Sequence, residues 1–301
     1  MFRSDLTHRK GASMDAATKE RLSVVPIICN EFVTPAGIRF SSACFQGPGN
    51  EWSLSPFQEP QDVSRNSLLA RSLSGAMRHL EGDRAYAPSP AQFNGCIIQP
   101  SELSKVFVLE PGILMLRNST VPADGTLLRR SGDVGIFSAS GCGVIVAALG
   151  THLLFAHAGR DCVINRKRVL GEPGARQFES VVDSIVDTLI ELRGHKSAIN
   201  DIHAWMFYSI KPEDFVHRYD NTTHGVYNRL VGTDLIRRGL GGVRRTEVGV
   251  EIDVPVVVKE QFIQRGVPAG NISLTHGYLA DELPHTRKEG GGRYLVAVAR
   301  H

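Results

Sequence analysis

The stretch 138-SASGCGVIVAALGTHLLFAHAGRDC-162 decides how this chain is read. Two apolar runs, GVIVAAL (143–149) and HLLFAHA (152–158), are separated only by Gly150 and Thr151, the pattern of two buried strands joined by a tight hairpin. Cys142 stands just before the first strand, between Gly141 and Gly143, and His157 lies near the end of the second. A hairpin centred between Leu149 and Gly150 makes Cys142 and His157 direct cross-strand partners, with Cβ atoms ~5 Å apart on one face of the sheet. That spacing suits a nucleophilic thiol and its base, because the imidazole must reach the sulfur to hold it as thiolate. The same pair also fits a structural role, a small buried cysteine and a satisfied strand-end histidine. The glycines around both residues favour a site, since they let backbone approach a ligand closely.

Strands and helices alternate on either side of this segment. SVVPIIC (23–29), KVFVLE (105–110), GILMLR (112–117), VGIF (134–137), IHAWMFYSI (202–210) and the closing RYLVAVAR read as strands, and the last third also holds the apolar segment VGVEIDVPVVV. Helices are expected over 62–79 and 176–193. In the second, Phe178, Val181, Val182, Ile185, Leu189 and Leu192 form one stripe and Gly194 sits at the C-cap position. Shorter helices are expected from Pro212 and over 260–265, and loops over 47–60, 84–94 and the glycine-rich 239–245. No linker divides the chain. The reading is one α/β domain over 23–301, a three-layer α/β/α sandwich with a mixed, largely antiparallel sheet, preceded by a polar arm over 1–22.

Composition bounds the function. In 301 residues, 42% are apolar and 22% charged, which excludes disorder along the whole chain and fibrous repeats. The 34 basic and 31 acidic residues leave a net charge of +3, too balanced to argue for nucleic acid or an anionic membrane as partner. The five cysteines, Cys29, Cys44, Cys96, Cys142 and Cys162, are odd in number and lack a CxxC pair, so they read as reduced thiols. No apolar run approaches the ~20 residues of a membrane helix. The first residues lack the apolar core of a signal peptide. The expected location is the cytoplasm, with secretion by a signal-independent route left open.

Four segments, in order, carry a family resemblance: PADG (122–125), AHAG (156–159) after the strand opened by Cys142, AWMFYSIKPEDF (204–215) and LPHTRKEGGGRYLVAV (283–298). Together they resemble the laccase-domain (YfiH-like) proteins, whose superfamily includes cytotoxic-necrotizing-factor-type deamidases. The resemblance implies a large α/β/α domain and action on C–N bonds of purine nucleosides, by phosphorolysis or deamination, with older attributions of polyphenol oxidation. It also implies a zinc or copper site of two histidines and one cysteine. Cys142 matches the cysteine and His157 the second histidine. The first histidine has only Gln99-Pro100-Ser101 as counterpart, so His276, or else His285, is the candidate third ligand. Arg160 and Arg287, with Ser140 and Gly141 beside the cysteine, are candidates for holding substrate or an anion such as phosphate.

Where the chain departs from that family, it resembles the deamidase branch. SGC and the fifteen-residue interval from Cys142 to His157 are similar to the toxin pattern. A second reading is therefore a metal-free cysteine amidase acting on a glutamine side chain of a target protein. Thiolate Cys142 attacks the amide carbon, His157 protonates the ammonia, and backbone N–H groups around Gly141 to Gly143 hold the oxyanion. A third reading is a catalytically degenerate domain that binds a nucleoside or a protein. The sequence leaves the oligomeric state open.

Overall fold

The computed structural model describes residues 24, 26–46, 52–88, 97–117, 123–173, 179–214, 216–279 and 292–301. A seven-stranded sheet runs in the spatial order β1 (Pro26–Val33), β2 (Arg39–Gln46), β16 (Tyr294–Arg300), β8 (Asp133–Ala139), β3 (Arg84–Tyr86), β6 (Ile113–Arg117) and β5 (Lys105–Glu110). A six-stranded sheet runs β15 (Ile272–Ser273), β11 (His203–Phe207), β9 (Gly143–Leu149), β10 (His152–Ala158), β7 (Gly125–Leu128) and β4 (Ile97–Ile98). A small third sheet holds β12 (Val216–Arg218), β14 (Gly249–Ile252) and β13 (Val243–Arg245). Most pairings are antiparallel; β3 pairs in parallel with β6 and β8, β4 with β7, and β11 with β15.

The two large sheets face each other. Phe40, Val296 and Val298 of the first meet Val144, Val146 and Phe155 of the second in one core. The outer face of the first sheet packs under helix Ser67–His79, through Ala70, Leu73, Ala76 and Met77. The outer face of the second lies under helix Val181–Arg193, against which helix Val254–Gln264 packs, while helix Thr223–Arg237 covers the small third sheet within the same core. The expected mixed α/β sandwich is present, with a β layer two sheets deep. Strand β9 lies between both cores and is buried along its whole length, which is why GVIVAAL is continuously apolar and not alternating.

Local chemistry explains where elements fall. Ser180 accepts from the Asp183 amide at 3.4 Å to start helix Val181–Arg193, and Gly194 at φ +83° ends it as expected. Several segments differ from the sequence reading or were not assigned by it. Val243–Arg245, expected as part of a loop, is strand β13, paired with β14. Arg84–Tyr86 is a strand, not loop, because it is held between β6 and β8. VPVVV begins a helix: the Asp253 carboxylate accepts from the Val256 amide at 3.2 Å and Pro255 occupies the first turn, so cap chemistry overrides the β-branched run. Thr223–Arg237 forms a helix that the sequence reading missed. The polar arm over 1–22, the start of the 176–193 helix, Cys96 and residues 283–291 of the closing motif lie outside the described residues. Among the described residues no helix is long and apolar enough to cross a membrane.

Candidate functional site

The β9–β10 hairpin turns on Gly150 and Thr151, pairing Leu149 with His152 and Val144 with His157. The register expected from the sequence is therefore off by two residues. Continued by one position past Gly143 and Ala158, the observed ladder sets Gly159 across from Cys142 and leaves His157 as its diagonal neighbour. A shift of two preserves the face, because side chains alternate with period two, so the thiol and the imidazole remain on the same side of the sheet. The side chain missing from Gly159 makes room for them. A Cβ there would lie 3.0 Å from His157 Nε2 and 3.1 Å from Cys142 Sγ. Nε2 is buried without a conventional hydrogen-bond partner, and the Cys142 sulfur is a polar group that it meets.

The other edge of the ring is clamped from β7. Its pairing with β10 sets Gly125 against Ala156, so Asp124, one residue earlier, lies beside His157. The His157 amide donates to the Asp124 carbonyl at 2.7 Å. Asp124 Oδ1 lies 3.3 Å from His157 Nδ1, and the Cys162 thiol donates to the same oxygen at 3.3 Å while lying 3.3 Å from Nδ1. Phe137 stacks on the imidazole, with ring centroids 4.1 Å apart. A buried carboxylate at Nδ1 fixes the proton there and turns Nε2 toward the thiol.

Burial alone lowers the His157 pKa, but the Cys162 sulfur, the Asp124 carboxylate and the Cys142 sulfur outweigh it and hold the imidazole well above its ordinary value. Burial and the Asp124 charge push the Cys162 thiol up to about 11. Cys162 is thus a neutral S–H donor at neutral pH, and Asp124 supplies the negative charge that supports an imidazolium. On the far side of Cys142, the buried Tyr294 hydroxyl donates to the Tyr208 carbonyl at 2.9 Å and reaches the Cys142 carbonyl at 3.5 Å, tying the cysteine's backbone to the end of β11.

A cleft of about 570 Å³ opens over Cys142, His157 and Gly159, and its other walls carry Arg160, His217, Arg218 and His224. Arg160 faces this cleft but is held: Nε donates to Asp161 at 2.9 Å, Nη1 to Asn228 at 2.8 Å, and the guanidinium lies over the Tyr227 ring. Ser140 and Gly141 sit behind Cys142 and are not part of the cleft wall. Gly141 adopts φ +141°, and a side chain there would run into Ile210. Arg287 and His285 lie outside the described residues. Asp124 and Cys162 were not singled out from the sequence. The available signal for Asp124 was the pairing of GTLL with LLFA, which carries the preceding Asp124 to the histidine.

The third-ligand role expected for His276 is not met. Its ring packs edge-on to Phe32 and alongside Phe207, while its carbonyl accepts from the Tyr208 amide at 3.0 Å. Gln99, at the counterpart of the absent histidine, is engaged instead with Arg129 at 2.6 Å. A catalytic zinc uses about three protein ligands and an open position. Among the described residues no third donor joins Cys142 and His157, so these residues alone do not complete the two-histidine, one-cysteine set, and no reaction step is derived through it. The metal-capable group that is present among them combines Asp124, His157 and Cys162, with ligand atoms within 4.8 Å of one another.

No protein-family profile and no curated protein match the sequence. Solved structures do match the fold. The hypothetical protein YfiH of Bacillus licheniformis superposes at TM-score 0.55 and 13% identity over 89% of this chain and 98% of its own. YlmD of Geobacillus stearothermophilus gives 0.57 and 14% over 87% and 92%. A DUF152 protein of Neisseria meningitidis gives 0.53 and 11% over 90% and 98%. The double-sheet sandwich that brings Cys142, His157 and Asp124 together is the fold of the YfiH-type proteins.

Proposed function

We propose that the protein is a cysteine-dependent amidase that releases ammonia from a primary amide, with a glutamine side chain on a target protein, the substrate of the second reading of the sequence, as the substrate class. One observation carries this reading: Asp124 holds one nitrogen of His157, and the other nitrogen faces the Cys142 sulfur over Gly159. This is the order nucleophile, base and orienting acid that thiol acyl transfer requires. His157, as imidazolium, pairs with the Cys142 thiolate; the sulfur bonds to the amide carbon, and Nε2 passes its proton to the nitrogen as the C–N bond breaks. Ammonia leaves and an acyl thioester remains on Cys142. Water then attacks the thioester, His157 Nε2 accepts a water proton, and the C–S bond breaks to restore the thiolate–imidazolium pair and release the carboxylic acid product. Asp124 stabilises the imidazolium at each stage.

The test is ammonia release from a glutamine-rich protein such as casein, with intact-mass detection of an acyl adduct on Cys142. Release by the wild type and none by Cys142→Ala supports the reading. Release that survives Cys142→Ala overturns it.

A second reading has the enzyme act at a C–N bond of a purine nucleoside. It is supported by the YfiH-type fold and by a cleft whose wall carries Arg160, His217, Arg218 and His224 together with the carboxylates of Asp161 and Asp220, donors and acceptors for a polar ligand. Incubation with adenosine or inosine and phosphate, followed by separation of the products, distinguishes it from the amidase.

A further inference from the structure

We propose that Asp124, His157 Nδ1 and Cys162 form a binding site for a thiophilic divalent cation of the zinc class, and that its occupancy switches off the Cys142–His157 pair. The site differs from the one implied by the sequence resemblance, because it uses the opposite edge of the imidazole and a different cysteine. Its donors form a nearly equilateral triangle. Nδ1 to Oδ1, Nδ1 to Sγ and Sγ to Oδ1 are each 3.3 Å. From zinc–ligand bond lengths, one face of a tetrahedral N, O, S site measures about 3.4–3.6 Å on an edge, so the three atoms need shift by only about 0.1–0.3 Å. Asp124 and Cys162 are fixed by backbone bonds, Asp124 O to the His157 amide at 2.7 Å and the Cys162 amide to Gly159 O at 2.9 Å. Cys162 and His157 both line the cleft, which gives an ion a way in and leaves the fourth position to water.

The chemistry of loading sets its consequence. Starting from the imidazolium, which carries hydrogens on both nitrogens, the cation replaces the S–H proton of Cys162 and the proton on Nδ1, so two protons leave when it binds. A histidine bound through Nδ1 keeps its remaining hydrogen on Nε2 and has no lone pair there. It can then neither pair as imidazolium with the Cys142 thiolate nor take a proton from water, and Asp124 no longer orients it. This second half rests on the amidase reading, whereas cation binding does not.

Full-length protein stripped with a chelator is titrated with Co²⁺ and then Zn²⁺. One Co²⁺ per chain is expected, with a thiolate-to-cobalt absorption band that Zn²⁺ displaces. The band persists in Cys142→Ser and is lost in Cys162→Ser. Asp124→Asn, which keeps both thiols, weakens Co²⁺ binding roughly ten- to a hundredfold. No uptake by the wild type overturns the site, as does a band that needs Cys142 and survives Cys162→Ser. If Cys162→Ser fails to fold, Cys142→Ser and Asp124→Asn decide the matter alone. Iodoacetamide labelling of Cys142 is then followed with and without one equivalent of Zn²⁺. A tenfold or greater slowing is expected in the wild type, and an unchanged rate with the site loaded overturns the switch. Because uptake is read without substrate, its failure is distinguishable from failure of the amidase.

Discussion

Gly159 lies across from Cys142 at the open end of the β9–β10 hairpin, and its lack of a side chain is what lets His157 reach the sulfur diagonally. A methyl group there would meet Nε2 at 3.0 Å and Sγ at 3.1 Å, closer than neighbours tolerate without moving. The backbone itself has an ordinary extended conformation at φ −99°, so alanine is not excluded by strain. Gly159→Ala is therefore expected to push thiol and imidazole apart. Amide turnover should fall by roughly a hundredfold, as for small misplacements of reacting groups. Chemical denaturation should show a loss of stability of only about 1–2 kcal/mol.

Asp124 is the test of orientation. In Asp124→Asn the buried carboxylate becomes an amide that either presents N–H to Nδ1 or turns its oxygen there without charge. The tautomer is no longer fixed and the imidazolium loses its counter-charge. Turnover is expected to drop by roughly 10³–10⁴-fold with substrate KM nearly unchanged, by analogy with hydrolytic triads. Steady-state kinetics check this, and equal losses in kcat and in substrate binding would argue against an orienting role.

Away from the site, Asp234 gives a pH-dependence with a definite sign. Its burial raises the carboxyl pKa, but hydrogen bonds and charge from Arg168, with Arg238 and Arg237, outweigh this and hold it below 3.8. Arg168 grips both carboxylate oxygens, at 2.8 and 2.9 Å. A depressed carboxyl stabilises the fold above its unfolded pKa and loses that contribution as pH falls through the folded one. Removing the charge with Asp234→Asn should cost about 2 kcal/mol at pH 7, below the range for fully buried pairs because Arg168 is 29% exposed. The gap between variant and wild type should narrow as pH falls through 3.8 and below. Urea titrations across that range measure it.

Local patterns were legible in the sequence, and long-range register was not. The continuous apolar run of β9, the hairpin glycine and the stripe ending at Gly194 each reflect interactions within a few residues, and they indicated the elements directly. The Cys142–His157 pairing was placed on the correct face but in a register shifted by two: Gly150 and Thr151 were read as the turn, as found, but a centre between Leu149 and Gly150 falls one position short of the middle of that turn. Asp124 became visible only with the β7–β10 ladder, which joins segments some thirty positions apart. Helix Thr223–Arg237 escaped notice because its buried side includes Asn228, Gly232 and Asp234, which break an apolar stripe. Each has a local reason: Asn228 bonds to the Arg218 carbonyl at 2.8 Å, Gly232 packs against Val250, and Asp234 binds Arg168. His276 was assigned to the site from its segment, but loop geometry turns its ring toward Phe32 and Phe207.

The central claim is that His157 activates Cys142, and the most direct measurement is site-resolved alkylation by iodoacetamide at pH 7, read by peptide mass spectrometry. Cys29 is an exposed internal reference whose thiol is pushed up by partial burial and by the Glu31 charge. The account predicts that Cys142 reacts at least roughly tenfold faster than Cys29, and that His157→Gln removes most of that advantage. Equal rates at the two cysteines, unaffected by His157→Gln, would contradict it.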